Sequence, residues 1–158
     1  MPRLIRFHKT GGPEVLQYDD MPAQALQPGG IRLKVEAIGL DRAEVMFREG
    51  QYVETPELPS LLGYEAAGVI EEVAADVTGF APGDRAASIP AFSMTHYGAL
   101  ITACAERLER AKALILEHLE SGALKPKIAR VFPFDQVVQA HRYMESNEQI
   151  GQIVISVP

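Results

Sequence analysis

The sequence GYEAAGVIEEV at residues 63–73, followed by VTGFAPGDR at residues 77–85, carries the clearest indication of how this chain folds. Residues 68–73 and 84–89 are two short runs that are typical of strands. Between them, residues 79–83 read Gly-Phe-Ala-Pro-Gly, and glycine and proline both favour turns. The two runs are therefore predicted to be strands separated by a turn.

The segment from residue 3 to about residue 92 alternates short apolar runs with glycine- and proline-rich turns, which predicts a β-rich unit. Its most regular strand is at residues 31–37, where apolar residues alternate with charged ones and share one face. Asp41 is predicted to begin a short helix that extends to Phe47, because its side-chain oxygen can accept from the free amides of a first turn.

The apolar period changes from Glu106 onwards. Leu108, Ala111, Ile115 and Leu119 recur at helical spacing, which predicts an amphipathic helix that ends at Gly122. A strand is predicted over 128–132, then a helix capped by Asp135, and a last strand over 152–157. The predicted fold class is mainly β with a few helices, an α+β arrangement.

Composition excludes several classes of protein. The chain has 158 residues, of which 15 are Lys or Arg and 21 are Asp or Glu, so its net charge is −6. No basic face is available for nucleic acid or anionic membranes. No apolar run approaches the roughly 18 residues of a membrane span, and no secretory signal is found. One cysteine, Cys104, cannot form an internal disulfide, so a cytoplasmic location is predicted.

The residues 63–70 and 77–85 quoted above closely resemble the medium-chain dehydrogenase/reductase superfamily, on its quinone-oxidoreductase-like side. The resemblance extends over nearly the whole chain. It implies that the chain forms the partly open, GroES-like β-barrel domain of that family, to which the C-terminal residues return. Further matching segments are 39–44, 47–50, 106–126, 132–134 and 151–154.

The nucleotide-binding Rossmann domain that the family inserts into this barrel is missing from the sequence. No G-x-G-x-x-G turn occurs, and one strand-helix-strand unit needs about 30 residues. The predicted division is 1–98 for the N-terminal part of the barrel, 99–105 for a short join, and 106–158 for the helix-strand-helix-strand return. Either an engineered or a natural deletion could produce this arrangement, and the tidy join favours engineering.

A zinc site is not predicted. Zinc-dependent members of the family use a cysteine and a histidine at positions that correspond to Asp41 and Tyr64 here, although Glu65 of that motif is present. Glu65 is expected to have a buried structural role. Cys104 is expected to be a free thiol. The four histidines have no spacing typical of metal ligands; they are His8, His96, His118 and His141.

Three residues are candidates for a substrate cleft. Asp41 stands where quinone-oxidoreductase relatives usually carry an asparagine near the nicotinamide, and the resemblance also suggests Tyr52 and Tyr64. Each has a structural alternative: Asp41 as a helix N-cap, and the two tyrosines as packing residues. No catalytic or cofactor-binding residue is assigned beyond these candidates.

The resemblance implies that an intact family member uses NADPH to reduce a quinone, an activated alkene or a carbonyl. This chain is expected to hold no cofactor, to fold, and to be inactive alone, because positioning of the reactants accounts for about 7 to 11 kcal/mol of such a barrier. Whether the chain is itself an enzyme stays open. The alternative hypothesis is an assembly module that self-associates through the surface bared by the missing domain.

Overall fold

The computed structural model describes residues 1–88 and 104–158. Two compact units are present: Met1–Ser88 together with Ile128–Pro158, and Ile89–Lys127. The predicted join at 99–105 lies almost wholly outside the described residues, as does His96, and the predicted division of the chain stays a prediction. None of the described helices is long and apolar enough to cross a lipid bilayer.

The first unit contains two β-sheets and two α-helices. The smaller sheet has the strand order β2-β1-β4, and the larger has the order β6-β5-β3-β8-β7. The predicted α+β class is confirmed, and within the described residues the two sheets do not close into one barrel. The strands are β1 (Arg3–Phe7), β2 (Leu16–Asp20), β3 (Ile31–Gly39), β4 (Ser60–Leu61), β5 (Glu65–Val73), β6 (Arg85–Ala87), β7 (Ile128–Pro133) and β8 (Gln152–Ser156).

Strands β3 and β5 form the longest ladder of the larger sheet. They pair antiparallel, with Val35 opposite Gly68, and β-bulges interrupt the register at two places. A Cβ atom at position 68 would lie 1.9 Å from the Lys34 carbonyl oxygen. Only glycine therefore permits the two backbones to approach this closely.

Strand β5 begins at Glu65, three residues before the predicted start. The reason is that Ala66 and Ala67 already pair with Ile38 and Ala37 of β3, and small residues reveal little of such pairing in sequence. The next predicted strand, 84–89, is shorter as β6, and Ile89 lies outside the described residues.

Three α-helices are described: α1 (Arg42–Arg48), α2 (Ala105–Glu120) and α3 (Val137–Glu145). Asp41 is the N-cap of α1, as predicted. The prediction that Asp135 caps α3 is wrong, because Asp135 lies inside a 3-10 turn over Phe134–Gln136 that continues directly into the helix. Gly122 follows the end of α2 with a φ of +72°, which agrees with its predicted role as a helix stop.

The apolar core of the first unit is built from residues near both ends of the chain. It also encloses the guanidinium group of Arg48. Arg48 is fully buried, and it donates hydrogen bonds to the Gly11 carbonyl oxygen and to the Glu145 carboxylate. These bonds join the N-terminal loop, α1 and α3. The core residues are Phe7, Val15, Leu16, Leu40, Val45, Phe132, Val137, Ala140, Met144, Ile153 and Ile155.

Replacement of Arg48 by methionine is expected to destabilise the chain by about 3 kcal/mol, because it leaves the Glu145 carboxylate and the Gly11 carbonyl without their shared donor. The matched control is Arg85→Met, since the ion pair of Arg85 with Glu36 is largely exposed and should contribute less than about 1 kcal/mol. Urea unfolding followed by circular dichroism measures both. Equal losses in the two variants would contradict this account.

Candidate functional site

The structure brings the three candidate cleft residues to one region of the first unit. Asp41 precedes α1, Tyr52 follows that helix, and Tyr64 lies immediately before β5. The charges of Asp41 and Tyr52 both act on Tyr64. Tyr64 lines an apolar cavity whose lining includes neither Asp41 nor Tyr52. The role of the three residues in one cleft stays a prediction.

The phenol of Tyr64 is held in its protonated form. Burial raises its pKa above the ordinary value of 10.0, and the charges of Tyr52, Glu54, Glu44 and Asp41 raise it further. A protonated phenol is a hydrogen-bond donor. At neutral pH Tyr64 can thus donate to a carbonyl oxygen of a ligand.

Asp41 is the N-cap of α1, the structural role given above as the alternative to a role in the cleft. Its Oδ1 accepts a hydrogen bond from the backbone N–H of Ala43 at 2.7 Å. The backbone N–H of Asp41 in turn donates to Oε2 of Glu44 at 3.1 Å, which completes a capping box. The carboxylate of Asp41 is thereby directed towards the first turn of α1.

Glu44 is a residue of this region that the sequence analysis missed. Only 1% of it is exposed, and its Oε2 accepts from the backbone N–H of Asp41. Burial, together with the charges of Asp41 and Glu65, raises the pKa of Glu44 from 4.5 to about 7. The spacing Asp41-x-x-Glu44 is a capping-box pattern, and this signal could have identified the residue.

Glu65 does not have the buried role expected of it. Its side chain is half-buried and lies across Gly39, where a Cβ atom would come within 2.3 Å of Oε2. Among the described residues its carboxyl group has no hydrogen-bond partner. Glu65 is therefore a partly exposed side chain next to Tyr64.

An apolar cavity of about 430 Å³ opens beside Tyr64 and Glu65. Its walls come from both sheets and from the 3-10 turn that precedes α3. Ser88 lies at its edge, where Oγ accepts from the backbone N–H of Ala66 at 2.8 Å. The apolar wall residues are Leu4, Ile5, Val35, Ile38, Leu61, Leu62, Ala66, Phe134 and Val157.

A second, much smaller cavity of about 20 Å³ separates Glu44 from His141 of α3. His141 is 1% exposed, and within the described part of the chain its Nδ1 has no hydrogen-bond partner. Burial, together with the charge of Arg48, lowers the pKa of His141 from 6.5 to about 4. His141 is therefore a neutral imidazole in the core.

The residues of this region do not fit a zinc ion. In residues 1–88 and 104–158, no three His, Cys, Asp or Glu side chains are placed to share a metal. Asp41 and Tyr64 stand where zinc-dependent members of the family have a cysteine and a histidine.

Comparison with known families agrees with this architecture. The family model described as "Zinc-binding dehydrogenase" matches residues 10–155. The chain belongs to that family. Its relatives place it on the quinone-oxidoreductase-like side of the medium-chain dehydrogenase/reductase superfamily, which confirms the resemblance found in the sequence.

One relative is quinone oxidoreductase 1 of Escherichia coli, which is 34% identical over 144 residues, 86% of this chain and 44% of that protein. A probable oxidoreductase of Mycobacterium abscessus superposes with a TM-score of 0.82 at 13% identity, over 98% of both chains. The Escherichia coli quinone oxidoreductase complexed with NADPH gives a TM-score of 0.51 at 28% identity, over 84% of this chain and 44% of that one. The chain spans 26% of the length of the Pseudomonas aeruginosa quinone oxidoreductase and 44% of the length of Escherichia coli quinone oxidoreductase 1.

The buried pair of titratable residues predicts two opposite pH dependences of the free energy of unfolding. Glu44, with a pKa raised from 4.5 to about 7, stabilises the folded state below pH 4.5, and this contribution is lost as the pH rises to about 7. His141, with a pKa lowered from 6.5 to about 4, contributes stability above pH 6.5 that is lost as the pH falls to about 4. Each slope is at most about 1.4 kcal/mol per pH unit.

Urea titrations between about pH 5 and 6.5 measure these slopes. Relative to the unmodified chain, Glu44→Gln should make the free energy of unfolding rise more steeply with pH. His141→Gln should make the free energy of unfolding fall as the pH rises. Glu71→Gln, on an exposed strand position, should change neither slope. A change of the same sign in the Glu44 and His141 variants would contradict the assigned pKa directions.

Proposed function

We propose that this chain is the substrate-binding part of an NADPH-dependent reductase that acts on quinones, activated alkenes or carbonyls in the cytoplasm. The apolar cavity that Tyr64 helps to line, in a member of the quinone-oxidoreductase family, carries the proposal. The walls suit a flat uncharged ring, and Tyr64 donates a hydrogen bond to its carbonyl oxygen. Arg3 and Glu65 both line the cavity, so it carries one basic and one acidic side chain.

The residues on this chain do not fit the pyrophosphate of NADPH. A dinucleotide site needs a glycine-rich turn at a helix N-terminus, and the sequence has no G-x-G-x-x-G. The first turn of α1 is already capped by the carboxylate of Asp41. The chain's own residues therefore bind and orient the substrate, and no step on the cofactor is assigned to them.

This chain alone is also proposed not to reduce its substrate. The family's nucleotide-binding domain would then have been deleted between the barrel and its returning segment, by engineering or in nature. Without that domain the two reactants are not held at reacting distance. The match to Escherichia coli quinone oxidoreductase 1, which covers 44% of that protein, supports this reading.

Titration with NADPH by calorimetry should show no saturable binding, and NADPH oxidation with duroquinone should not exceed the rate without protein. Duroquinone is fully substituted, so it does not add to the thiol of Cys104. Saturable micromolar NADPH binding with turnover would overturn the proposed inactivity.

The substrate-binding half of the proposal is tested separately with duroquinone and the tyrosine fluorescence of the chain. Tyr64→Phe is expected to weaken binding about fivefold, the equivalent of one hydrogen bond of about 1 kcal/mol. Tyr143→Phe removes a phenol outside the cavity and should leave the affinity unchanged. If the unmodified chain shows no saturable signal, the cavity does not bind quinones.

We also propose that the chain self-associates through α2, as an assembly module would. None of the residues of α2 is buried, and its side chains Ile115 and Leu119 are 48% and 45% exposed. They continue the apolar stripe of Leu108 and Ala111. We expect α2 of a second copy of the chain to pack against this stripe, because two antiparallel copies of α2 are complementary in charge.

That complementarity follows from the uneven distribution of charge along α2. Residues 105–112 contain three basic and two acidic side chains, whereas residues 113–120 contain two acidic side chains and neither Lys nor Arg. Antiparallel pairing therefore places the more positive half of one helix against the negative half of the other. Parallel pairing would oppose like charges.

Size-exclusion chromatography with light scattering should show a dimer fraction that grows with protein concentration and falls on Ile115→Glu. Ala113→Glu adds the same charge to the opposite side of α2 and should preserve the dimer. A monomer at every concentration would contradict self-association and leave the substrate-binding proposal unaffected.

A further inference from the structure

We propose that the substrate of the apolar cavity carries a carboxylate group and that the guanidinium of Arg3 binds this group. Arg3 is the first residue of β1 and lines the cavity. Among the described residues that line it, Arg3 is the only basic one. This inference rests on the proposed function and deepens it, because it adds a charged substituent to the flat ring that the cavity takes.

The alternation of β1 places the side chain of Arg3 on the cavity side of the strand. Every second residue of a strand shares a face, so Arg3 lies on the same face as Ile5. Ile5 packs against the apolar core and lines the cavity. The other arginine of the strand, Arg6, does not line the cavity and donates to the Pro59 carbonyl oxygen at 3.0 Å. Arg3 is therefore the basic side chain of β1 that a ligand in the cavity can reach.

An aromatic side chain of the neighbouring strand supports the guanidinium of Arg3. The Cζ atom of Arg3 lies over the Tyr18 ring, 6.0 Å from its centre. The Tyr18 hydroxyl donates to the Phe134 carbonyl oxygen at 2.8 Å, and the centres of these two rings are 5.4 Å apart. Phe134 is itself a wall residue of the cavity. These contacts hold the charge of Arg3 beside the cavity.

The hydrogen-bonding capacity of Arg3 is available to a ligand. Its ionic partner among the described residues is Asp20, with Nε 4.0 Å from Oδ1, which is too long for a hydrogen bond. The two side chains are 61% and 63% exposed, and such an exposed pair contributes little. The planar guanidinium can therefore bind a carboxylate through two parallel N–H···O bonds.

The acidic residue of the cavity gives a bound carboxylate one preferred direction. Glu65 comes from β5 in the larger sheet, whereas Arg3 comes from β1 in the smaller sheet. A carboxylate is attracted to the guanidinium and repelled by the Glu65 carboxylate. The ligand is therefore expected to bind with its carboxylate towards β1 and its ring along the apolar walls.

Three aromatic ketones of similar size test this preference for an anion. At about pH 7, 4-acetylbenzoate is anionic, 4-acetylbenzamide is neutral and (4-acetylphenyl)trimethylammonium is cationic. Titrations of the unmodified chain, followed by the nuclear magnetic resonance signals of each ketone, measure the three affinities. The anion is expected to bind about fivefold more tightly than the amide, since the exposure of Arg3 limits the gain. Added salt should reduce this ratio.

Equal affinities for the anion and the amide, or tighter binding of the cation, would overturn the proposal. A ratio that does not change with salt would also contradict an ionic contact.

Two variants of opposite expected effect assign the preference to the cavity. Arg3→Gln should bring the ratio of the two affinities to about one, because the amide side chain carries no charge. Glu65→Gln should strengthen binding of the anion, because it removes the opposing charge. The matched control is Arg32→Gln: Arg32 is paired with Glu72 at 2.8 Å, does not line the cavity, and its replacement should preserve the ratio.

A preference for the anion that survives in a folded Arg3→Gln chain would refute the role of Arg3. If that variant does not fold, the response to Glu65→Gln and to salt decides the question.

Duroquinone separates this inference from the proposed function. Saturable binding of duroquinone without a preference for the anionic ketone would refute the role of Arg3 and leave the proposed function in place. A preference for the anion in a chain that does not bind duroquinone would retain the role of Arg3 and refute quinone binding. Absence of saturable binding by duroquinone and by all three ketones would refute both.

Discussion

The buried guanidinium of Arg48 is the constraint on which the arrangement of the first unit depends. A charge removed from water must find its partners inside the protein, and those of Arg48 come from the Gly11 loop and from Glu145 near the end of the chain. This requirement joins segments that are 134 positions apart. One turn earlier on the same helix, the buried carboxyl group of Glu44 accepts from the backbone N–H of Asp41.

Much of the fold could be predicted from local pattern. The alternation in residues 31–37 corresponds to β3, and Asp41 begins α1, because each depends on neighbours in the sequence. The error at Asp135 has a different origin. A 3-10 turn that runs without a break into α3 leaves no exposed first turn for its carboxylate to cap, and only tertiary packing of Phe134 and Val137 determines that continuity.

The candidate site was predictable in part for the same reason. Tyr64 and Asp41 stand inside family motifs, so their positions could be inferred from the sequence. Burial of Glu44 depends instead on side chains contributed by β8 and α3, more than 90 positions away, among them Ile155 and His141. An acidic residue in a charged helix gives no sign of such surroundings, and its capping-box spacing indicates only a local bond.

The place of β8 in the larger sheet bears on how the chain folds as it is synthesised. This strand, residues 152–156, lies between β3 and β7, so it occupies an interior position although it is translated last among the strands. Until β8 has left the ribosome, the edge of β3 opposite β5 has no partner strand, and Ile38 is not yet paired with Ile155. An exposed strand edge can pair with other chains, so the nascent protein is most prone to aggregate before β8 is in place. A chaperone that binds unfolded chains would help most at this stage.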